Sequence, residues 1–189
     1  MPNKQDIRAQ ITLSNGETLI VRSLRAGDGP RLQQFNAGLS PRSRGFFLPH
    51  AYDDATVARM IERTESGLDL TYLVFAGEEV VAYFFLWEYQ DSIPILGIGI
   101  TDVYQGRGLG AQLMQILIDD ARRAGRDGID LTTMLNNDRA FTLYRKMGFR
   151  YIEDVDNIDG NGRVIVERWM FLPLKPDARP VKRRHQPPA

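Results

Sequence analysis

Hydrophobic and polar positions alternate over residues 10–24, in two short runs that flank Asn15-Gly16. Asn-Gly between alternating runs predicts a β-hairpin, because both turn residues accept a positive φ. The period then changes to helical. Asp28 is placed to cap a first helix, with Pro30 in its first turn and Leu32, Phe35 and Leu39 on one face. Ser40-Pro41 opens a short second helix with Phe46, Phe47 and Leu48. Asp54 is placed to cap a third, with Val57, Met60 and Ile61 aligned.

Strand-like runs follow at Leu70–Ala76, Val80–Tyr89 and Ile95–Val103, divided by Gly77-Glu78-Glu79 and by Asp91–Pro94. The third of these has glycines inside it, which weaken a strand and often mark a bulge or a close backbone approach. It ends in Tyr104-Gln105-Gly106-Arg107-Gly108-Leu109-Gly110. A long amphipathic helix is predicted from there to about Ala124, then a strand at Ile129–Met134. Asn136 or Asn137 caps a further helix bearing Ala140, Leu143, Tyr144 and Met147. Gly148 and Phe149 sit where a helix-ending glycine and its apolar partner belong. Strands at Phe149–Ile152 and Arg163–Leu172 close the series. The order predicts a mixed α/β domain on one twisted sheet of about six to seven strands. Residues 95–134 should form a right-handed parallel crossover.

The chain of 189 residues is 43% hydrophobic and 25% charged, ordinary values for one globular domain. One domain is expected over 1–172. The basic, proline-rich segment 173–189 lacks an apolar period and is expected to be disordered. The formal net charge of +0 hides an asymmetry, since that tail has five basic residues and one acid. The body is therefore mildly acidic, which argues against a nucleic-acid surface. There is no cysteine, so a thiol nucleophile and Cys-ligated metal are excluded. His50 and His185 are the only histidines, too few for a multi-histidine metal site, and no metal is expected. No leader pattern and no membrane-length apolar run is visible, so the expectation is a cytoplasmic protein without a membrane partner.

The candidate chemistry lies in the glycine turn. A glycine-rich turn between a strand and a helix exposes first-turn N–H groups that suit a pyrophosphate. The Gly-Lys-Ser/Thr of a P-loop is absent. Gly106, Gly108 and Ala111 formally meet a dinucleotide fingerprint, but the acid required at the end of the next strand is missing there. Gln105, Gly108 and Gly110 meet a third pattern, Gln/Arg-x-x-Gly-x-Gly/Ala.

With that pattern, Leu96–Ala111 resembles the acyl-CoA site of the GNAT superfamily of N-acetyltransferases. Asn137-x-x-Ala140-x-x-Leu143-Tyr144-x-Lys146-x-Gly148-Phe149 is similar to that family's second CoA-contacting segment, in the expected order. The resemblance implies a sheet splayed between the 95–103 and 129–134 strands, with helices on both faces. It implies acetyl-CoA as co-substrate. Its pantetheine arm would meet Ile98, Gly99 and Ile100, and its pyrophosphate Gln105, Gly106, Arg107, Gly108, Leu109, Gly110 and Ala111. Asn137 and Lys146 are further cofactor contacts by similarity. Tyr144 matches the family's general acid, which protonates the departing thiolate, and it is equally placed to be a core aromatic. For the base, Glu88 and Asp102 are the candidates. Ile95 stands where relatives often have an acid. The resemblance implies an amine acceptor, either a small molecule or a protein, held between residues 36–62 and 153–163, with Phe46, Phe47, Tyr52 and Trp87 as candidate lining. It also allows a homodimer. The alternative is a catalytically silent acyl-CoA-binding module.

Overall fold

The structure, a computed structural model, describes residues 7–183. Arg184 and His185 lie outside the described residues. The hairpin forms as expected: β1 (Ile7–Thr12) and β2 (Thr18–Ser23) pair antiparallel around Gly16, whose φ is 85°. The helices α1 (Gly29–Gly38), α2 (Pro41–Phe46) and α3 (Asp54–Glu65) follow. Then come β3 (Leu70–Ala76), β4 (Glu79–Trp87), β5 (Ile95–Ile100), α4 (Leu109–Arg123), β6 (Gly128–Met134), α5 (Asp138–Lys146), β7 (Arg150–Ile158) and β8 (Val164–Pro173).

All strands join one sheet of eight, in the order β1-β2-β3-β4-β5-β6-β8-β7. The count exceeds the expected six to seven because β2 docks on β3, so the N-terminal hairpin extends the sheet. The strand expected over 95–103 stops at Ile100, and Asp102–Tyr104 makes a 3-10 turn instead. Conversely, β7 runs on to Ile158, six residues past the expected end at Ile152, because it pairs with β8 along its length.

Two caps differ from expectation. Asp28 occupies the N-cap of α1 without capping it. Its carboxylate is taken by Arg22, with bonds of 2.6 and 2.8 Å in a buried fork. For α3 the cap is Asp53, which accepts from the Thr56 N–H at 3.0 Å. α2 opens at Ser40-Pro41 as expected, with Ser40 as its cap.

Each face of the sheet has its own core. On one, Leu32 and Phe35 of α1 and Val57 and Met60 of α3 pack against Tyr83, Phe85 and Trp87 of β4. On the other, Leu109, Leu113, Met114 and Leu117 of α4 pack with Tyr144, Phe149, Ile129 and Leu131. Fully burying each such side chain contributes about 1.5–3 kcal/mol, which fixes the two layers against the sheet.

The segment expected to be disordered is anchored as far as residue 183. The N–H groups of Leu174 and Lys175 donate to the Asp127 carbonyl at 2.8 and 3.0 Å. Lys182 pairs with Glu153 at 2.7 Å and Arg183 with Glu88 at 2.8 Å. No helix among the described residues is long and apolar enough to cross a membrane.

Candidate active site

The site begins where β5 and β6 separate. Their only paired position is Ile95 with Asp130; beyond it the two parallel strands part. On its other side β5 stays paired with β4 throughout. Thr101 N–H donates to the Val81 carbonyl at 2.9 Å, so odd-numbered residues of β5 bond to β4. The main-chain groups of Leu96, Ile98 and Ile100 consequently face the gap. A cleft of about 860 Å³ opens there, lined by Leu96–Ile100, the Gln105–Ala111 turn, Tyr144 and parts of α2, β6, β7 and β8.

The two glycines inside β5 have a reason of their own. A Cβ on Gly97 would lie 2.1 Å from the Phe85 ring, and one on Gly99 2.3 Å from the Phe47 ring. Aromatic rings from β4 and from the end of α2 cover these backbone positions, and side chains there would displace them. Phe85 in turn stacks on Trp87 at 4.1 Å.

At the far end of the gap, Gly106 and Gly108 both adopt φ of 78°, which lets the chain turn into α4 without a side-chain cap. The first-turn N–H groups of α4 are thus left for a ligand, and the helix dipole favours an anion there. Gly110 admits Leu143 of α5, whose Cδ2 would be 3.1 Å from an added Cβ. Gln105 ties this corner together: its amide donates to the Ile100 carbonyl at 2.9 Å and to Ser43 Oγ at 3.1 Å, and its oxygen accepts from Arg139 at 3.2 Å.

Not every expected cofactor contact lines the cleft. Ile98, Gly99, Ile100, Gln105, Gly106, Gly108, Gly110, Ala111 and Asn137 do. Leu109 is buried in the core beneath the turn. Arg107 turns away, over the Tyr104 ring and to 3.8 Å from Glu17. Lys146 is not on the cleft wall; it lies with Asp138, Arg139, Thr142 and Leu143 along the surface of α5. The cations on the cleft wall are instead Arg139, Arg42, Arg44 and Arg163. Asn137 also caps α5, accepting from the Ala140 N–H at 3.3 Å.

Tyr144 is set by the end of its helix. Gly148, at φ 96°, and Phe149 close α5 in a Schellman motif, with Phe149 N–H donating to the Tyr144 carbonyl at 3.0 Å. The ring is buried on the α4 side of the sheet, with its hydroxyl end at the cleft. Burial, and then the nearby Glu167 carboxylate, push the phenol above its ordinary range, so it stays protonated.

The two acids expected as bases are otherwise occupied. Glu88 is outside the cleft, at φ 53° where β4 turns away. Its N–H donates to Asp69 and its carboxylate holds Arg183 at 2.8 Å. Asp102 lines the phosphate end but accepts from Ser40 N–H, Ser40 Oγ and Ser43 Oγ at 3.0, 2.8 and 2.7 Å. The Ser40 N–H, then the Ser43 hydroxyl, hold it below the usual carboxylate range, which makes it a poorer proton acceptor. It anchors α2.

Of the expected acceptor-side aromatics, Phe46, Phe47 and Trp87 line the cleft, whereas Tyr52 stacks on the buried His50. Sequence reasoning missed Glu167 and Asn157. Both are buried on the cleft wall, and Asn157 Nδ2 donates to Glu167 Oε2 at 2.7 Å. The available signal was an acid, next to Arg168, inside the mostly apolar run Val164–Leu172.

A splayed mixed sheet with a glycine turn at the gap defines an acyl-CoA-type cleft, and the family agrees. The profile described as the acetyltransferase (GNAT) family matches residues 35–149, and the chain belongs to that family. An acetyltransferase of Pseudomonas aeruginosa is 30% identical over 130 residues, covering 60% of this chain and 65% of the relative. The N-acetyltransferase YvbK of Bacillus subtilis is 30% identical over 87 residues, covering 46% of this chain and 56% of the relative. Each of these matches thus spans less than two-thirds of the relative's length. Among solved structures, the GNAT domain of S. lividans PAT shares the fold with a TM-score of 0.73 at 19% identity, covering 92% of this chain and 99% of that one. So does a spermidine N-acetyltransferase from Vibrio cholerae in complex with CoA and spermine, with a TM-score of 0.66 at 18% identity, covering 82% of this chain and 95% of that one.

Proposed function

We propose that this protein transfers an acetyl group from acetyl-CoA to a primary amine by direct attack, without a covalent enzyme intermediate. The observation that carries the reading is the parting of β5 from β6 after Ile95, with Tyr144 in the gap and a glycine turn at its end. The backbone groups of Ile98 and the Ile100 N–H are available to align the pantetheine arm as an added strand would, the Ile100 carbonyl being held by Gln105. The Gly106–Gly110 turn suits the pyrophosphate, with Arg139 beside it. Tyr144, kept protonated by burial, supplies the proton that the departing thiolate needs. A module that only bound acyl-CoA would not need that hydroxyl.

Thermal unfolding with acetyl-CoA, using NAD as control, tests the cofactor half. A ligand at about 100 times its Kd adds about 2.7 kcal/mol, or about 5–10 °C for a domain of this size. A rise with acetyl-CoA alone is expected; equal or absent shifts contradict the assignment.

A further inference from the structure

The reading above leaves the proton acceptor open, and the cleft narrows the choice. Its wall has three carboxylates: Asp102, Asp159 and Glu167. Asp102 is held by Ser40 and Ser43. Asp159 is spent on its own hairpin. It accepts from the N–H groups of Asn161 and Arg163 at 2.8 and 3.0 Å, and from the Arg163 guanidinium at 2.9 and 2.7 Å. Glu167 has a single protein donor, Asn157, and no cationic partner among the described residues.

Glu167 is also in the right place. It sits on β8 opposite Met134 of β6 and Val155 of β7. Cross-strand partners share a face, so this is the face of Asp130 and Thr132, and of Trp87 and Ile95 across the split. Tyr144 comes from the opposite, α4 side. The gap therefore has a hydroxyl acid on one side and a carboxylate on the other. Asn157 orients the carboxylate: Nδ2 donates to Oε2 at 2.7 Å and lies 3.3 Å from Thr132 Oγ1. A carboxylate accepts only, so this bond fixes the amide's orientation. Asn157 Oδ1 is then buried without a donor, while Oε1 of Glu167 has no protein donor among the described residues.

We infer that Glu167, positioned by Asn157, is the proton acceptor for the amine substrate; this rests on the proposed acetyl transfer. An alkylammonium gives one proton to Glu167, and its freed lone pair forms the N–C bond with the thioester carbonyl. The C–S pair leaves as thiolate and takes the Tyr144 proton. The second proton lost by nitrogen replaces the one Tyr144 gave. Glu167 returns its proton to solvent, so one proton is released per acetyl transferred.

The test compares two amines at saturating acetyl-CoA: propylamine, protonated at pH 7, and methoxyamine, already neutral there. Glu167→Gln keeps an oxygen to accept from Asn157 but cannot take the proton. It should lose about 10²–10⁴-fold in transfer to propylamine and change transfer to methoxyamine only a few-fold. The acetyl-CoA-induced thermal shift, measured alongside, should be retained. Glu167→Ala, with formate added, should regain propylamine transfer, which keeps the test open if the first variant folds poorly. Equal losses for both amines, or no loss for either, overturn the assignment while leaving acetyl transfer intact. Wild-type protein that binds acetyl-CoA and transfers to neither amine overturns the transfer reading and this inference with it.

Discussion

The Tyr83 hydroxyl donates to Nε2 of His50 across 3.0 Å, inside the core between α1 and the sheet. Nδ1 of His50 lies 2.6 Å from the Ala51 carbonyl, which can only accept, so Nδ1 carries the proton and Nε2 is the acceptor. The sequence offered His50 only as one of two imidazoles. Its place in the fold makes it a buried neutral spacer.

Burial lowers the His50 pKa from 6.5 to about 4. The unfolded chain therefore binds a proton between those values while the folded chain does not. The contribution is full above pH 6.5 and is lost as pH falls towards 4, by about 3 kcal/mol. Urea unfolding at pH 7, 6 and 5 should show this loss in wild-type protein. The loss should be smaller in His50→Gln, which cannot titrate. Identical slopes would remove His50 from the pH dependence.

Gly97 and Gly99 lie under aromatic rings of unequal freedom. Phe85, over Gly97, is fully buried and stacked on Trp87; Phe47, over Gly99, is only partly buried at the cleft. Gly97→Ala should cost about 1–3 kcal/mol by overpacking, and Gly99→Ala less. Phe47→Leu should recover part of the second loss and none of the first. Chemical unfolding midpoints measure all three, and a larger loss at Gly99 would contradict this packing.

Arg139 is on the cleft wall beside Gly106, while Arg107 leans on Tyr104 and Lys146 does not line the cleft. Arg139→Ala should weaken acetyl-CoA binding about tenfold, as for loss of one charge-assisted bond. Arg107→Ala and Lys146→Ala should each change it less than about threefold. Titration calorimetry separates the three, and the reverse ranking would relocate the phosphates.

Much of the glycine-turn wall of the cleft was legible because its signals are local. The glycines, the Asn137 cap and the Gly148-Phe149 ending act within a few residues of the groups they place. Local periodicity also identified the strand–helix–strand crossover. The opposite wall of the cleft was not legible. Glu167 meets Asn157 only through the β7–β8 register, ten positions on and across a turn. Arg22 meets Asp28 only six residues further on, through the turn between β2 and α1, and so removes an expected cap. Glu88 and Asp102 suited a base by position along the strand, but Arg183 and the α2 serines claim their carboxylates. Nothing in the spacing of the chain reports such partners.

The central claim concerns Tyr144, and release of the CoA thiol from acetyl-CoA with propylamine tests it most directly. Tyr144→Phe preserves the ring and its packing against Phe149 but removes the proton that the thiolate takes. The variant should bind acetyl-CoA as wild type does and release thiol about 10²–10⁴-fold more slowly. Unchanged thiol release in a folded, acetyl-CoA-binding variant would contradict the account.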